Sequence, residues 1–165
     1  LPSAAFLALC DEVVAAGTAA GAQIVVNDRV DLARLSRAAG VHVGQEDVPP
    51  RAARQQLGPD AIVGLSTHTI GQLEAALREP VSYVAVGPVF GTATKDTGYQ
   101  PVGLDLVREA AARAAGLPIV AIGGITLERA PAVLAAGAAA VAVIGDLLAG
   151  SDPGARVAAY ARALM

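Results

Sequence analysis

The sequence predicts an α/β fold of the (β/α)8 TIM-type barrel class, lacking the first two strands. Three observations carry that expectation. Short β-branched runs alternate with Ala-, Leu- and Arg-rich segments of helical spacing along the chain. Successive strand starts fall about twenty residues apart, the length of one βα unit with no hairpin return, which calls for parallel strands. Each of the six strand-like runs also ends in glycine or polar residues on the same side. In a β/α barrel those C-terminal ends converge on one face and carry the site, whereas a doubly wound sheet gathers its ligands at a switch point. Six polar ends out of six favour the barrel.

In chain order, residues 4–16 form an opening helix, where Cys10 is read as a small buried residue. Residues 23–26 are the first strand and run straight into Asn27-Asp28. A helix over 31–39 follows, with Gly40 at its C-terminal end, and then the strand 41–43, leading into Gly44-Gln45-Glu46-Asp47. The helix over 50–57 opens on Pro49-Pro50 and stops at Gly58. The strand 61–65 ends in Ser66-Thr67-His68, and Thr69 is placed to cap a helix over 70–79. The strand 83–86 leads into the loop 87–96, after which residues 104–115 are helical up to Gly116. The strand 118–122 ends in Gly123-Gly124, Thr126 is placed to cap a helix over 127–136 closed by Gly137, and the strand 140–144 ends in Gly145-Asp146. A closed barrel of this class needs eight strands and roughly 200 residues or more. The count, with leucine as first residue, leads us to expect a single domain over 1–165 that is incomplete at its N-terminal side.

Composition narrows the partners. With 165 residues and 54% hydrophobic content, the chain can build one sizeable core. Net charge is −3 and the basic residues are scattered, so neither nucleic acid nor an anionic membrane surface is an expected partner. The longest apolar stretch, near 135–144, is too short and glycine-interrupted to span a bilayer, and no signal-peptide pattern precedes it, so a soluble cytoplasmic protein is expected. One cysteine allows no intrachain disulfide and no cysteine metal cluster. The sequence leaves the oligomeric state open, a homo-oligomer included.

Lys95 is the only lysine beside eleven arginines. It ends a loop of glycines and the hydroxyls Thr92 and Thr94, a composition suited to a cluster of anionic oxygens, with a stray surface lysine as the alternative. Asp28 and Asp47 follow neighbouring strands, and can either share a magnesium ion, which needs few carboxylates when substrate phosphates complete its shell, or cap the helices behind them. The segment 64–69 offers Ser66, His68 and a helix N-terminus to a phosphate. His68 is open to two readings, general acid or base and structural residue, and His42 inside a strand is read as structural. No Ser, His, acid spacing points to a nucleophilic triad. Gly123-Gly124 and Gly145 suit either a backbone-amide phosphate site or ordinary tight turns. Two anion sites would serve two phosphorylated small molecules or one bisphosphate.

Asn27-Asp28-Arg29-Val30-Asp31, Val41-His42-Val43-Gly44-Gln45-Glu46-Asp47, Gly64-Leu65-Ser66-Thr67-His68-Thr69, the loop from Gly87 to Lys95, and Ala121-Ile122-Gly123-Gly124-Ile125-Thr126 together resemble the thiamine phosphate synthase family, from Gly21 onward. The resemblance implies a transferase that joins hydroxymethylpyrimidine diphosphate to thiazole phosphate, with Mg²⁺, releasing pyrophosphate. It implies Asp28 and Asp47 as metal ligands, Asn27, Ser66 and Lys95 at the diphosphate, Ser66 and Lys95 as the catalytic residues, and Thr92, Ala93, Thr94, Gly124, Ile144 and Gly145 at the thiazole phosphate. Two departures stand out. The family's Gln-x-Arg-x-Lys strand, expected just before Leu1, is absent, so the resemblance speaks for a full-length parent and leaves turnover by this chain open. Gly145 stands where the family commonly has serine. The alternatives are a thiazole tautomerase using His68, and a non-catalytic phosphate-binding barrel.

Overall fold

Valine supplies the centre of each sheet segment, because its branched side chain fits a pleated surface packed on both faces. The structure, a computed structural model, describes residues 1–92 and 98–164. It divides into two units, the first made of Leu1–Ser66 with Ala76–Ser82 and the second of Thr67–Ala75 with Tyr83–Met165.

The first unit opens on α1 (Ser3–Ala19) and continues through β1 (Val25–Asn27), α2 (Val30–Leu35), β2 (Gly40–Val43), α3 (Pro50–Leu57) and β3 (Ile62–Thr67), whose final residue falls in the second unit. The strands are parallel and in chain order, with Val26 opposite Val41 and Val41 opposite Val63. Val41, Val43 and Val63 are wholly buried, with Leu32 and Ala33 of α2 and Ala53 of α3 also in the core. The alternation of period two then puts His42 on the opposite face of β2 from Val41 and Val43.

Two expectations for this unit need correction. Gly40 does not end a helix but begins β2, where an added Cβ would lie 1.9 Å from the Ile62 carbonyl oxygen. The preceding helix stops at Leu35 rather than at 39, because the Ser36 hydroxyl bonds back to the Leu32 carbonyl at 2.8 Å and Arg37 turns to φ 57°. The prolines and Gly58, by contrast, delimit α3 where the sequence places it.

Arg54 on α3 ties the connection that enters β3 to residues 80–82. Its Nε and Nη2 donate to the Pro80 carbonyl at 3.0 and 2.9 Å, and its Nη1 donates to the carbonyls of Pro59 and Ala61. Nη2 also reaches the Ser82 hydroxyl at 3.0 Å, whose oxygen accepts from Val63 N. Arg54→Met keeps the apolar stem and strands those carbonyls without donors. We expect a loss of about 3 kcal/mol, read as a lower thermal midpoint, with no rescue by Arg54→Lys because a point ammonium cannot reach in so many directions.

The second unit holds α4 (Ile70–Ala76, its last residue in the first unit), β4 (Tyr83–Val86), α5 (Gly103–Arg113), β5 (Ile119–Ile122), α6 (Ala130–Ala135), β6 (Ala140–Ala142), α7 (Gly145–Leu148) and α8 (Pro153–Leu164). Here too the strands pair in parallel and in order, Val84 with Ile119 and Val120 with Ala140. β6 stops two residues short of the expected 144, since Ile144 becomes the N-cap of α7. Thr126 does not cap α6, whose N-cap is Arg129 ahead of Pro131. α7 and α8 are additions to the sequence reading. Asp152 accepts from Ala155 N at 2.9 Å and Pro153 opens the helix, a local start signal that was present in the sequence. Among the described residues no helix is long and apolar enough to cross a membrane.

Candidate active site

In the first unit the predicted residues gather at the C-terminal ends of β1, β2 and β3. Asn27 ends β1 and is exposed. Asp28 follows at φ 63°, a left-handed conformation that aspartate tolerates better than most residues, and its N–H extends the ladder by donating to the His42 carbonyl at 2.8 Å. Asp28 does not occupy the cap of α2. That position falls on Arg29, whose guanidinium instead grips Asp31 at 2.6 and 2.8 Å and the Ser3 hydroxyl.

Asp47 also leaves its expected capping position empty, α3 starting behind Pro49 with no side-chain cap. Its Oδ2 accepts from Gly44 N at 2.7 Å, closing the turn after β2 on itself. That turn carries Gln45, whose Nε2 donates to the Ser66 carbonyl at 2.6 Å. The Ser66 hydroxyl lies 2.8 Å from His42 Nε2. Carbonyl and hydroxyl of Ser66 are therefore both held by β2 and the turn behind it. Among the described residues no three His, Cys, Asp or Glu side chains cluster as a closed metal cage. Two carboxylates at the ends of paired strands remain a donor set that fits magnesium, a hard ion that takes few carboxylates and fills its shell with water and phosphate oxygens.

In the second unit Thr69 caps α4, its hydroxyl accepting from Gln72 N at 3.2 Å, while Gln72 Oε1 accepts from His68 N at 2.7 Å. His68 Nδ1 faces the Gly87 carbonyl at 2.5 Å and must carry the proton, since a carbonyl only accepts. Its ring stacks on Tyr99 with centroids 3.7 Å apart. These contacts give His68 a structural anchorage at both its backbone and its ring.

The loop after β4 is clasped at its base, with Val102 N donating to the Pro88 carbonyl and Gly103 N to that of Val89. Thr92 is exposed, and Ala93, Thr94 and Lys95 lie outside the described residues. The same loop rests on the turn after β5. Gly123 and Gly124 have φ of 97° and 62°, and added Cβ atoms would sit 2.5 Å from Pro88 Cβ and 2.4 Å from the Gly91 carbonyl oxygen. The glycine pair is thus required by close approach of the loop. Arg129, which the sequence reading passed over, locks that approach by donating to the Gly124 carbonyl at 2.9 Å and lying over the Phe90 ring at 4.6 Å. Ile144 and Gly145 are exposed where β6 gives way to α7.

Asp146 has a different task from the ligand-facing strand end suggested by its position. It accepts from Leu127 N, from Arg156 through both carboxylate oxygens at 2.9 and 3.0 Å, and from the Tyr160 hydroxyl at 2.6 Å. The Arg156 hydrogen bonds hold the Asp146 carboxyl below its usual range, while burial and the Asp146 bond push the Tyr160 phenol well above its own. A carboxyl depressed in the folded state adds stability above its unfolded pKa, about 3.9, and that stability disappears as pH falls through the folded value. Asp146→Asn should therefore lower the thermal midpoint at pH 7, and the gap from the unaltered protein should narrow below about pH 4.

The chain matches the family model described as thiamine monophosphate synthase over residues 1–147. It is 52% identical over 135 residues to the thiamine biosynthesis bifunctional protein of Symbiobacterium thermophilum, covering 82% of this chain and 28% of that protein. It is 43% identical over 153 residues to the thiamine-phosphate synthase of Roseiflexus castenholzii, covering 93% and 67%. Another relative, the thiamine-phosphate synthase of a Synechococcus species, is 51% identical and 37% covered, so the chain spans from under a third to two thirds of these relatives. Among solved structures, the thiamine phosphate pyrophosphorylase of Pyrococcus furiosus superposes with a TM-score of 0.89 at 27% identity, covering all of this chain and 80% of that one. The strand-end aspartates, the double-glycine turn and the order of their motifs thus sit in a chain that belongs to the thiamine monophosphate synthase family.

Proposed function

We propose that this chain carries out thiamine phosphate synthesis as part of a (β/α)8 barrel, transferring hydroxymethylpyrimidine from its diphosphate to the ring nitrogen of a thiazole phosphate. The observation that carries this reading is the pair Asp28 and Asp47 at the C-terminal ends of paired strands, Asp28 anchored by its backbone N–H and Asp47 by one carboxylate oxygen on Gly44 N, neither at the N-cap of the helix that follows. Parallel strands in chain order and the Pyrococcus furiosus superposition support the barrel class.

The carbon–oxygen bond to the diphosphate breaks with its electron pair leaving on oxygen, and the thiazole nitrogen lone pair closes the new carbon–nitrogen bond. The residues therefore have to stabilise charge on the departing diphosphate. Asp28 and Asp47 would hold Mg²⁺, which neutralises phosphate charge when bound. Asn27 and Ser66 donate hydrogen bonds to the diphosphate oxygens, and Lys95 adds a point charge. In the second unit Thr92, Ala93, Thr94, Gly124, Ile144 and Gly145 receive the thiazole phosphate, through hydroxyls and backbone N–H groups. At Gly145 only the backbone can donate, one donor fewer than a serine would supply.

Pyrophosphate release that needs both substrates and Mg²⁺, and that chelation abolishes, is the expected result. Isomerisation of a thiazole phosphate without pyrophosphate release would replace this reading by a tautomerase. Calorimetric binding of thiazole phosphate with no turnover would make the chain a non-catalytic phosphate-binding protein.

A further inference from the structure

The face of β2 opposite Val41 and Val43 carries one side chain able to act on a neighbour, His42. Its cross-strand partner on β3 is Gly64, which has no side chain to fill the space opposite the imidazole. Two residues along β3 on that same face is Ser66. The ring reaches diagonally across the vacant glycine position and ends with Nε2 2.8 Å from the Ser66 hydroxyl. Cross-strand diagonals of this kind lie within reach of a long or aromatic side chain when the direct neighbour is small.

We propose that His42 is a positioning residue, which donates its Nε2–H to Ser66 Oγ and so turns the serine hydrogen toward the departing diphosphate. The direction follows from the chemistry of the ligand. Phosphate oxygens only accept, so a serine that serves them must donate its single hydrogen outward, and the donor completing its oxygen must then come from the protein. A hydroxyl without such a donor rotates among its staggered positions, and ordering it costs part of the hydrogen bond it makes. Gln45 restrains the same residue from the other side by its bond to the Ser66 carbonyl, so the freedom left to Ser66 is the rotation that His42 removes.

This inference rests on the synthase reading, so its test has two readouts. One is turnover. The other is binding of inorganic pyrophosphate in Mg²⁺ buffer by calorimetry, which requires no chemistry. Both are measured in the intact protein for His42→Leu, His42→Gln, Ser66→Ala and the double variant His42→Leu/Ser66→Ala. His42→Leu should lower kcat about tenfold with KM for the thiazole phosphate nearly unchanged, and weaken pyrophosphate binding to a similar degree. His42→Gln, which places a donor nitrogen where Nε2 stood, should recover most of both. In the Ser66→Ala background His42→Leu should cost less than about twofold, because its effect passes through the hydroxyl. Independent effects of the two substitutions, or equal losses for Leu and Gln, would overturn the positioning role. Coupled pyrophosphate binding in a protein with no synthase turnover would instead sink the synthase reading and leave the positioning bond standing.

Discussion

Asp28→Asn should lower turnover by about 10²- to 10³-fold while leaving the thermal midpoint within a few degrees of the unaltered protein. The two readouts separate because asparagine keeps the backbone geometry and the side-chain shape of this position. It tolerates the left-handed region at least as well as aspartate, so φ of 63° imposes no new strain, and the N–H that reaches the His42 carbonyl belongs to the backbone. What disappears is one negative charge at the end of β1. Asp47→Asn is a matched probe. Its amide oxygen can still accept from Gly44 N, so the turn that positions Gln45 survives and again only charge is removed. Both variants should also need more Mg²⁺ for half-maximal rate, a shift that a purely structural residue would not produce. Kinetics at a series of Mg²⁺ concentrations, with melting curves on the same samples, decides the matter. Unchanged turnover in Asp28→Asn would remove that aspartate from the metal set.

The elements that were legible in the sequence are those whose signals are local. α3 lies where Pro50 and Gly58 place it, and β4 falls on its Tyr-Val-Ala-Val run. What escaped the sequence reading depends on partners far along the chain. Ala39-Gly40 looks like a helix end until Ile62 is known to pack against it, and Asp146 looks like a ligand until Arg156 and Tyr160 are folded onto it. The diagonal from His42 to Ser66 needs the register of β2 on β3, which no local pattern supplies. The site residues were named through the resemblance of whole motifs. Spacing alone left Asp28 and Asp47 divided between metal and cap, and the backbone geometry that removes the cap reading at both is visible only in the fold.

Stability should suffer most at Gly40. An alanine Cβ there would meet the Ile62 carbonyl oxygen at 1.9 Å, its carbon at 2.6 Å and Ile62 Cβ at 2.7 Å, whereas carbon atoms in ordinary contact lie 3.5–4.0 Å apart. The obstacle is mostly backbone, so no rotamer change relieves it. β2 and β3 would have to part where Gly40 pairs with Ile62, beside the bond from Ile62 N to the Ala39 carbonyl and next to the buried pair Val41 and Val63. Overpacking usually costs about 1–3 kcal/mol, and a clash with a paired strand's main chain belongs above that range, at about 4 kcal/mol. For a chain of this size the midpoint should fall by about 10 °C. Gly58→Ala is the control, since Gly58 has φ of 100° and ψ of 170°, a region nearly reserved for glycine, but nothing within 4 Å of an added Cβ, leaving a backbone penalty of about 1–3 kcal/mol and no clash. The ordering matters more than either figure. If Gly40→Ala melted no lower than Gly58→Ala, β2 would have room to shift, and the strand that carries His42 and leads into the Asp47 turn would not be the fixed support that the site requires.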